Sequence, residues 1–163
     1  MSVSESLSTT DGAERVRRVL ERHGLLAGLH TFDRSTKTAQ AAAEAVGCEL
    51  GQIAKSIVFM ADERPVLAVV AGDRRGDASA IAAETVADRV RLADAATVFA
   101  VTGYTVGSVS PFDLPEDLVV LVDASLGRFD TVVPAAGTSE SVVSVPFESL
   151  VALSGGRKAS ISR

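Results

Sequence analysis

Apolar positions along this chain follow two periods. Val16, Val19, Leu20 and His23 recur at helical spacing with charges between them, and Asp11 with Glu14 has the spacing of a capping box. This predicts a first helix opening at Asp11 and closing at Gly24. Residues 29–32 read as a short strand, and the alanine-rich stretch 39–46 reads as a closely packed helix ended by Gly47. IAKSIVFM at 53–60 and PVLAVVAG at 65–72, separated by a turn at Asp62 and Glu63, predict a hairpin of buried strands. Further on come a small-residue helix over 78–86, a strand over 89–92, and a helix capped by Asp94 and stopped by Gly103. Short β-branched runs follow at 118–122, 131–133 and 141–145, and Pro146 opens a last helix that Gly155 and Gly156 end.

Helices and strands do not alternate regularly, and several runs are close enough to pair as hairpins. The expected class is α+β, a mixed, mostly antiparallel sheet with flanking helices. Residues 1–10 and 155–163 lack periodicity and are expected to be a disordered and a flexible tail around a single domain over 11–154.

Composition narrows the function. With 163 residues, 47% hydrophobic and 23% charged, the protein is long enough to close one core without disulfides or metal. Its longest clean apolar run, 66–71, is far too short to span a membrane. The opening residues carry neither a positive n-region nor an apolar h-region, and one cysteine forms no internal disulfide, so a cytoplasmic location is expected. A net charge of −5 argues against general nucleic-acid coating, and one Tyr with no Trp argues against a stacking platform. A local basic patch remains open. Two His and one Cys, with no HExxH or CxxC spacing, point to no metal and no cofactor.

Candidate chemistry lies in three places. Lys55 interrupts an apolar strand, so it either snorkels at a sheet edge or meets an anionic partner at a site. TGYTVGSVSPFD over 102–113 is punctuated by Gly103, Gly107 and Pro111. It is either a helix cap with turns or a row of backbone donors for a carbonyl or phosphate oxygen. PAAGTSES over 134–141 is a hairpin loop or a shallow pocket wall with Thr138 and Ser139 as hydrogen-bond donors. His23 and His30 read as core or boundary residues, and Cys48 as a small buried one. Arg74 and Arg75 form a solvated turn or a phosphate-facing patch.

HTF at 30–32, IAKSIVF at 53–59, AGDRR at 71–75, TGYTVGSVSPF at 102–112 and AAGTSESV at 135–142 together resemble the YbaK family, freestanding relatives of the editing domain inserted in bacterial prolyl-tRNA synthetase. The resemblance covers residues 14 to 154, and its sharpest part is the strand lysine paired with the GYxVGxxSP loop. It implies a mixed-sheet, metal-independent hydrolase that deacylates mischarged aminoacyl-tRNA, a small non-cognate amino acid on proline tRNA. The partners it implies are the acylated CCA end and prolyl-tRNA synthetase, with no membrane and no DNA. On this resemblance Lys55 and Gly103 are catalytic. Phe32, Arg74, Tyr104, Thr105, Val106, Gly107, Ser108, Ser110, Pro111, Gly137, Thr138 and Ser139 bind substrate.

The sequence departs from the cysteinyl-tRNA-deacylating branch, with Ala135 and Val142 where that branch has Ser and Asp. A non-catalytic module binding an aminoacyl-adenosine, a nucleotide or a synthetase is the alternative. An aminoacyl ester is already activated, so a site need only orient water and stabilise an oxyanion, for which backbone N–H groups over 103–108 are the expected donors.

Overall fold

The computed structural model describes residues 3–163. Helix α1 (Val3–Arg22) leads to β1 (Leu29–Thr31), α2 (Ala39–Val46), the long strands β2 (Ile53–Ala61) and β3 (Arg64–Ala71), and α3 (Ala78–Thr85). Then follow β4 (Val90–Leu92), α4 (Ala95–Thr102), β5 (Val119–Asp123), β6 (Thr131–Pro134), β7 (Ser141–Val143), β8 (Val145–Pro146), α5 (Phe147–Ser154) and β9 (Arg157–Ala159). The class is α+β, as expected.

The main sheet runs β8-β6-β2-β3-β5-β9, with β4 also on β2, and β1 pairs separately with β7. The β2–β3 hairpin is antiparallel with Lys55 opposite Val70, whereas β6 lies parallel to β2 and β5 parallel to β3. The neighbouring runs that became β5 and β6 therefore do not pair with each other. Residues 124–128 form a short 3₁₀ turn that takes the polypeptide from one side of the hairpin to the other.

Strand β3 is central and covered on both faces, which explains its unbroken apolar run. Leu67 and Val69 pack with Val16, Leu20, Tyr104, Phe112 and Leu150 on one face. Val66, Ala68 and Val70 pack with Phe59, Ile81 and Leu121 on the other. A third cluster, Ala42, Ala43, Ile53, Val133 and Val142, fixes α2 over the start of β2. The small side chains of α2 allow this close approach, and Thr38 caps the helix by accepting from Ala41 N–H at 3.0 Å.

Three expectations are corrected. Helix α1 begins at Val3, so Asp11 and Glu14 lie inside it; the i, i+3 spacing of a capping box also occurs within a continuous helix. Of the expected N-terminal tail, Met1 and Ser2 lie outside the described residues. His23 is exposed because the polypeptide leaves the helix after Arg22, and Leu25 N–H bonds back to Leu20 C=O at 2.8 Å, turning Leu25 toward the core instead.

The third correction is the C-terminal segment, which is no flexible tail. Strand β9 adds to β5, Ile161 is fully buried, and the buried carboxylate of Asp123 receives Ile161 N–H at 3.2 Å and Ser162 Oγ–H at 2.6 Å. Replacing Ile161 by Ala is expected to lower the unfolding free energy by about 2–5 kcal/mol, the range for truncating a buried branched side chain. Denaturant unfolding reads this directly; an unchanged midpoint would mean the segment is peripheral to the core.

Candidate functional site

The chemistry-bearing residues meet where β2 lacks a neighbour. Strand β6 accompanies β2 only at Ile53 and Ala54, and β4 joins it only from Phe59 to Ala61. Between them β2 keeps β3 on one side and, among the described residues, has no strand on the other. Lys55 thus belongs to a central strand at a locally open edge. That reconciles its charge with its apolar flanks, because the stem packs on the sheet while the ammonium reaches a polar rim.

A narrow hollow of about 80 Å³ opens at this edge, backed by Ala39, Ala42, Ala54, Val133, Ala135 and Val142. A trough of about 380 Å³ continues from it, walled by Val58, Leu92, Ala93, Val98, Val106 and Val109. Lys37, Lys55, Ser56, Gly107 and Val109 border both, so the two spaces join at those residues. The arrangement offers a small apolar recess, a larger apolar surface and a polar junction with two lysines.

The Lys55 ammonium donates to the Arg74 carbonyl at 2.7 Å, which ties β2 to the turn after β3. Burial lowers the Lys55 pKa, and the neighbouring Arg75 charge lowers it further, while Asp73 opposes the shift. Asp73 in turn takes a two-pronged hydrogen bond from Arg128, at 2.9 and 3.1 Å, which anchors the turn and holds its carboxyl below the usual carboxylate range. Arg74 and Arg75 themselves are exposed, so Arg74 meets Lys55 through its backbone.

Gly107 is held at φ 88°, and a Cβ there would come within 2.9 Å of Lys37 Cγ. Glycine at this position satisfies the backbone and leaves room for the lysine stem. Lys37 escapes a reading of the sequence: a cation just before a helix cap looks solvated until the fold brings the 103–112 loop onto it.

The loop itself divides into frame and rim. Tyr104 is fully buried and its hydroxyl donates to Phe112 C=O at 2.6 Å, closing the loop ends, and burial pushes its pKa far up. The Arg15 guanidinium lies 4.1 Å from the ring centre and pairs with Asp113 at 2.8 Å. Ser108, Ser110 and Pro111 are buried as well. Gly103 does not border the cleft: its N–H closes α4 on Phe99 C=O at 2.8 Å, and it packs against Arg15. The N–H groups of Tyr104 and Ser108 are likewise taken, by Thr102 Oγ1 and Thr105 C=O. Among the described residues, the uncommitted donors of the expected row are those of Thr105, Val106 and Gly107.

The 134–141 segment also divides. Ala135 walls the narrow hollow, but Thr138 and Ser141 border a separate hollow with Arg17 and Leu29, and their hydroxyls bond each other at 2.7 Å. Gly137 is pressed against the Gly12 backbone. The Ser139 carbonyl receives Thr36 N–H at 2.7 Å and Thr36 Oγ–H at 3.2 Å, so this residue positions the Lys37 segment rather than facing the cleft. Phe32 packs half-buried behind the hollow, against the cluster around Ala42 and Val142. Cys48 is partly buried and its thiol pKa is raised by that burial.

Residues 33–153 match the family model described as the aminoacyl-tRNA editing domain. The protein belongs to this family. The uncharacterized protein YwhH of Bacillus subtilis is 37% identical over 113 residues, 69% of this chain and 71% of that protein. The multifunctional Ser/Thr-tRNA deacylase ProXp-y of Escherichia coli is 33% identical over 64% of this chain and 65% of its own. A solved structure described as a candidate trans-editing enzyme for prolyl-tRNA synthetase superposes with a TM-score of 0.84 at 31% identity, covering 93% of this chain and 97% of that one.

Arg75→Ala removes a repelling charge and is expected to raise the Lys55 pKa, whereas Asp73→Asn removes an attracting one and lowers it. NMR titration of the lysine ε-carbons distinguishes the two. A Lys55 signal that moves in neither variant would show that the ammonium does not sense this turn.

Proposed function

We propose that this protein is a metal-independent trans-editing deacylase acting on a small apolar amino acid esterified to tRNA, with proline tRNA as the carrier. The observation that carries this reading is the junction of a narrow apolar recess with a larger apolar trough at Lys55, Ser56 and Gly107. The aminoacyl side chain occupies the recess and the terminal adenosine the trough, which puts the ester bond at the junction.

Ala135 and Val142 both line the recess. Methyl and isopropyl groups stand there where the cysteinyl-deacylating branch has a hydroxyl and a carboxylate, so the recess favours an apolar side chain of few carbons. An added methylene is worth about 1–3 kcal/mol in such a pocket, and a recess this small excludes larger groups by overlap.

Water adds to the ester carbonyl carbon, the carbonyl oxygen becomes an oxyanion, and the bond to the ribose oxygen then breaks. The departing oxygen takes a proton and the amino acid is released. The free N–H groups of Val106 and Gly107, which border the cleft, suit the oxyanion; each such donor typically contributes about 2.7–4 kcal/mol to lowering the barrier. Lys55 fixes the register of the substrate carbonyl or terminal phosphate and does not serve as the base. Lys37 and Lys55 give the cleft a positive rim despite the acidic composition, and the adjacent turn adds Arg74 and Arg75 beside Lys55. Only the acylated CCA end need be gripped, and prolyl-tRNA synthetase would supply charged tRNA nearby.

Incubation with a panel of mischarged tRNAs is expected to release alanine-sized amino acids and to spare leucine and phenylalanine esters, with activity persisting after chelation. Lys55→Ala is expected to lose about 100-fold in kcat/KM through lost positioning while the thermal midpoint stays close to wild type. Binding of an amide-linked aminoacyl-adenosine without turnover of any ester would select the non-catalytic module instead.

A further inference from the structure

Ser56 stands in the middle of the unpaired stretch of β2. Ile53 C=O accepts Gly72 N–H at 2.8 Å on the β3 side, and Val58 C=O accepts Ala93 N–H at 3.0 Å on the opposite side. Backbone groups alternate direction along a strand, so Ser56 turns its N–H and C=O the same way as Val58, to the open edge. Among the described residues, no strand meets them there. Its Oγ is buried and, among the described residues, has no hydrogen-bond partner. Buried polar groups are nearly always paired, so one left unpaired at the wall of a cleft is available to a group that enters it.

The other hydroxyls bordering the narrow hollow are occupied: Thr36 Oγ1 donates to Ser139 C=O and Thr38 Oγ1 accepts from Ala41 N–H. Lys37, Lys55 and the Val106 and Gly107 N–H groups are donors, suited to carbonyl and phosphate oxygens. An aminoacyl ester also carries an α-amino group, which needs acceptors at the ester junction. Ser56 supplies them. Side chains of successive strand residues leave on opposite faces, so the Lys55 ammonium, drawn to Arg74 C=O, does not compete for the same position.

We propose that Ser56 is the substrate-binding residue that recognises the α-amino group, through its backbone carbonyl and, after a χ1 rotation, its hydroxyl oxygen. This inference rests on the deacylase reading and adds a chemical requirement to it: the substrate must carry a free α-amine. N-acylated and α-hydroxy esters are discriminated against even where their side chains fit.

Calorimetry with three amide-linked adenosine analogues, alanyl, lactyl and N-acetylalanyl, tests it alongside hydrolysis of alanyl-tRNA by the wild type. The wild type is expected to bind the alanyl analogue about tenfold or more tighter than the other two, as for a hydrogen bond to a charged group. Ser56→Ala should narrow that preference to a few-fold, since the backbone acceptor remains, and Ser56→Thr should retain it. Because the alanine variant deletes an unpaired buried hydroxyl, its thermal midpoint should equal or exceed that of wild type. Equal binding of all three by the wild type, or an undiminished preference in Ser56→Ala, overturns the proposal while leaving deacylation standing. Failure to bind any analogue together with failure to hydrolyse the ester overturns both.

Discussion

The site depends on one interruption of hydrogen-bonded pairing along β2. A strand in the middle of a sheet ordinarily spends its backbone on two neighbours, yet here the second neighbour is divided between β6 and β4. The division has local causes. Pro134 is the last residue of β6 in register with β2 and has no N–H to continue a ladder, after which the polypeptide turns away through the Ala135–Val142 bridge. From the other end, β4 is held by Asp62, whose carboxylate receives Asp88 and Arg89 N–H at 3.2 and 3.0 Å, and Asp94 then starts α4 and leads the polypeptide off the sheet. Lys55 and Ser56 lie in the interval.

That interval settles what would otherwise be a contradiction. A lysine in the interior of a fully paired, doubly covered strand would need an anionic partner, because unpaired burial of its charge is costly. At an open edge it needs only a carbonyl and access to water, and Arg74 provides the first. The turn bearing that carbonyl is itself fixed by the Asp73–Arg128 pair, whose exposure makes it worth little to global stability but whose geometry determines where the Arg74 oxygen sits. Charge is thus concentrated locally: in an acidic protein, Lys37 and Lys55 border one cleft, and Lys55 is tied to the exposed turn that carries Arg74 and Arg75.

The glycine-rich loop contributes less chemistry and more architecture than its sequence suggests. Tyr104, Ser110 and Phe112 are core residues, and the hydroxyl of Tyr104 serves as an internal tie. Of this loop, Val106, Gly107 and Val109 reach the cleft. The 135–141 segment behaves alike: its small residues permit close backbone packing on α1, and its effect on the site passes through Ala135 and through the carbonyl that pins Thr36. Both segments hold the site in place by what they bury.

The order of elements, the β2–β3 hairpin, the alanine-rich helix and the anomalous position of Lys55 are all legible in the sequence, because each rests on local periodicity, capping or a charge among apolar neighbours. Ser56 is visible there too, as a polar residue inside an apolar strand, though nothing nearby in sequence reveals that, among the described residues, no strand pairs with its outer edge. The partition of the loop into buried frame and exposed crest, the joining of Lys37 to Gly107, and the recruitment of Ile161 and β9 into the core were decided by tertiary structure alone. Each of these depends on which distant segments come to lie against β2 and β5, and a local pattern of side chains fixes the shape of an element but not the identity of its neighbours.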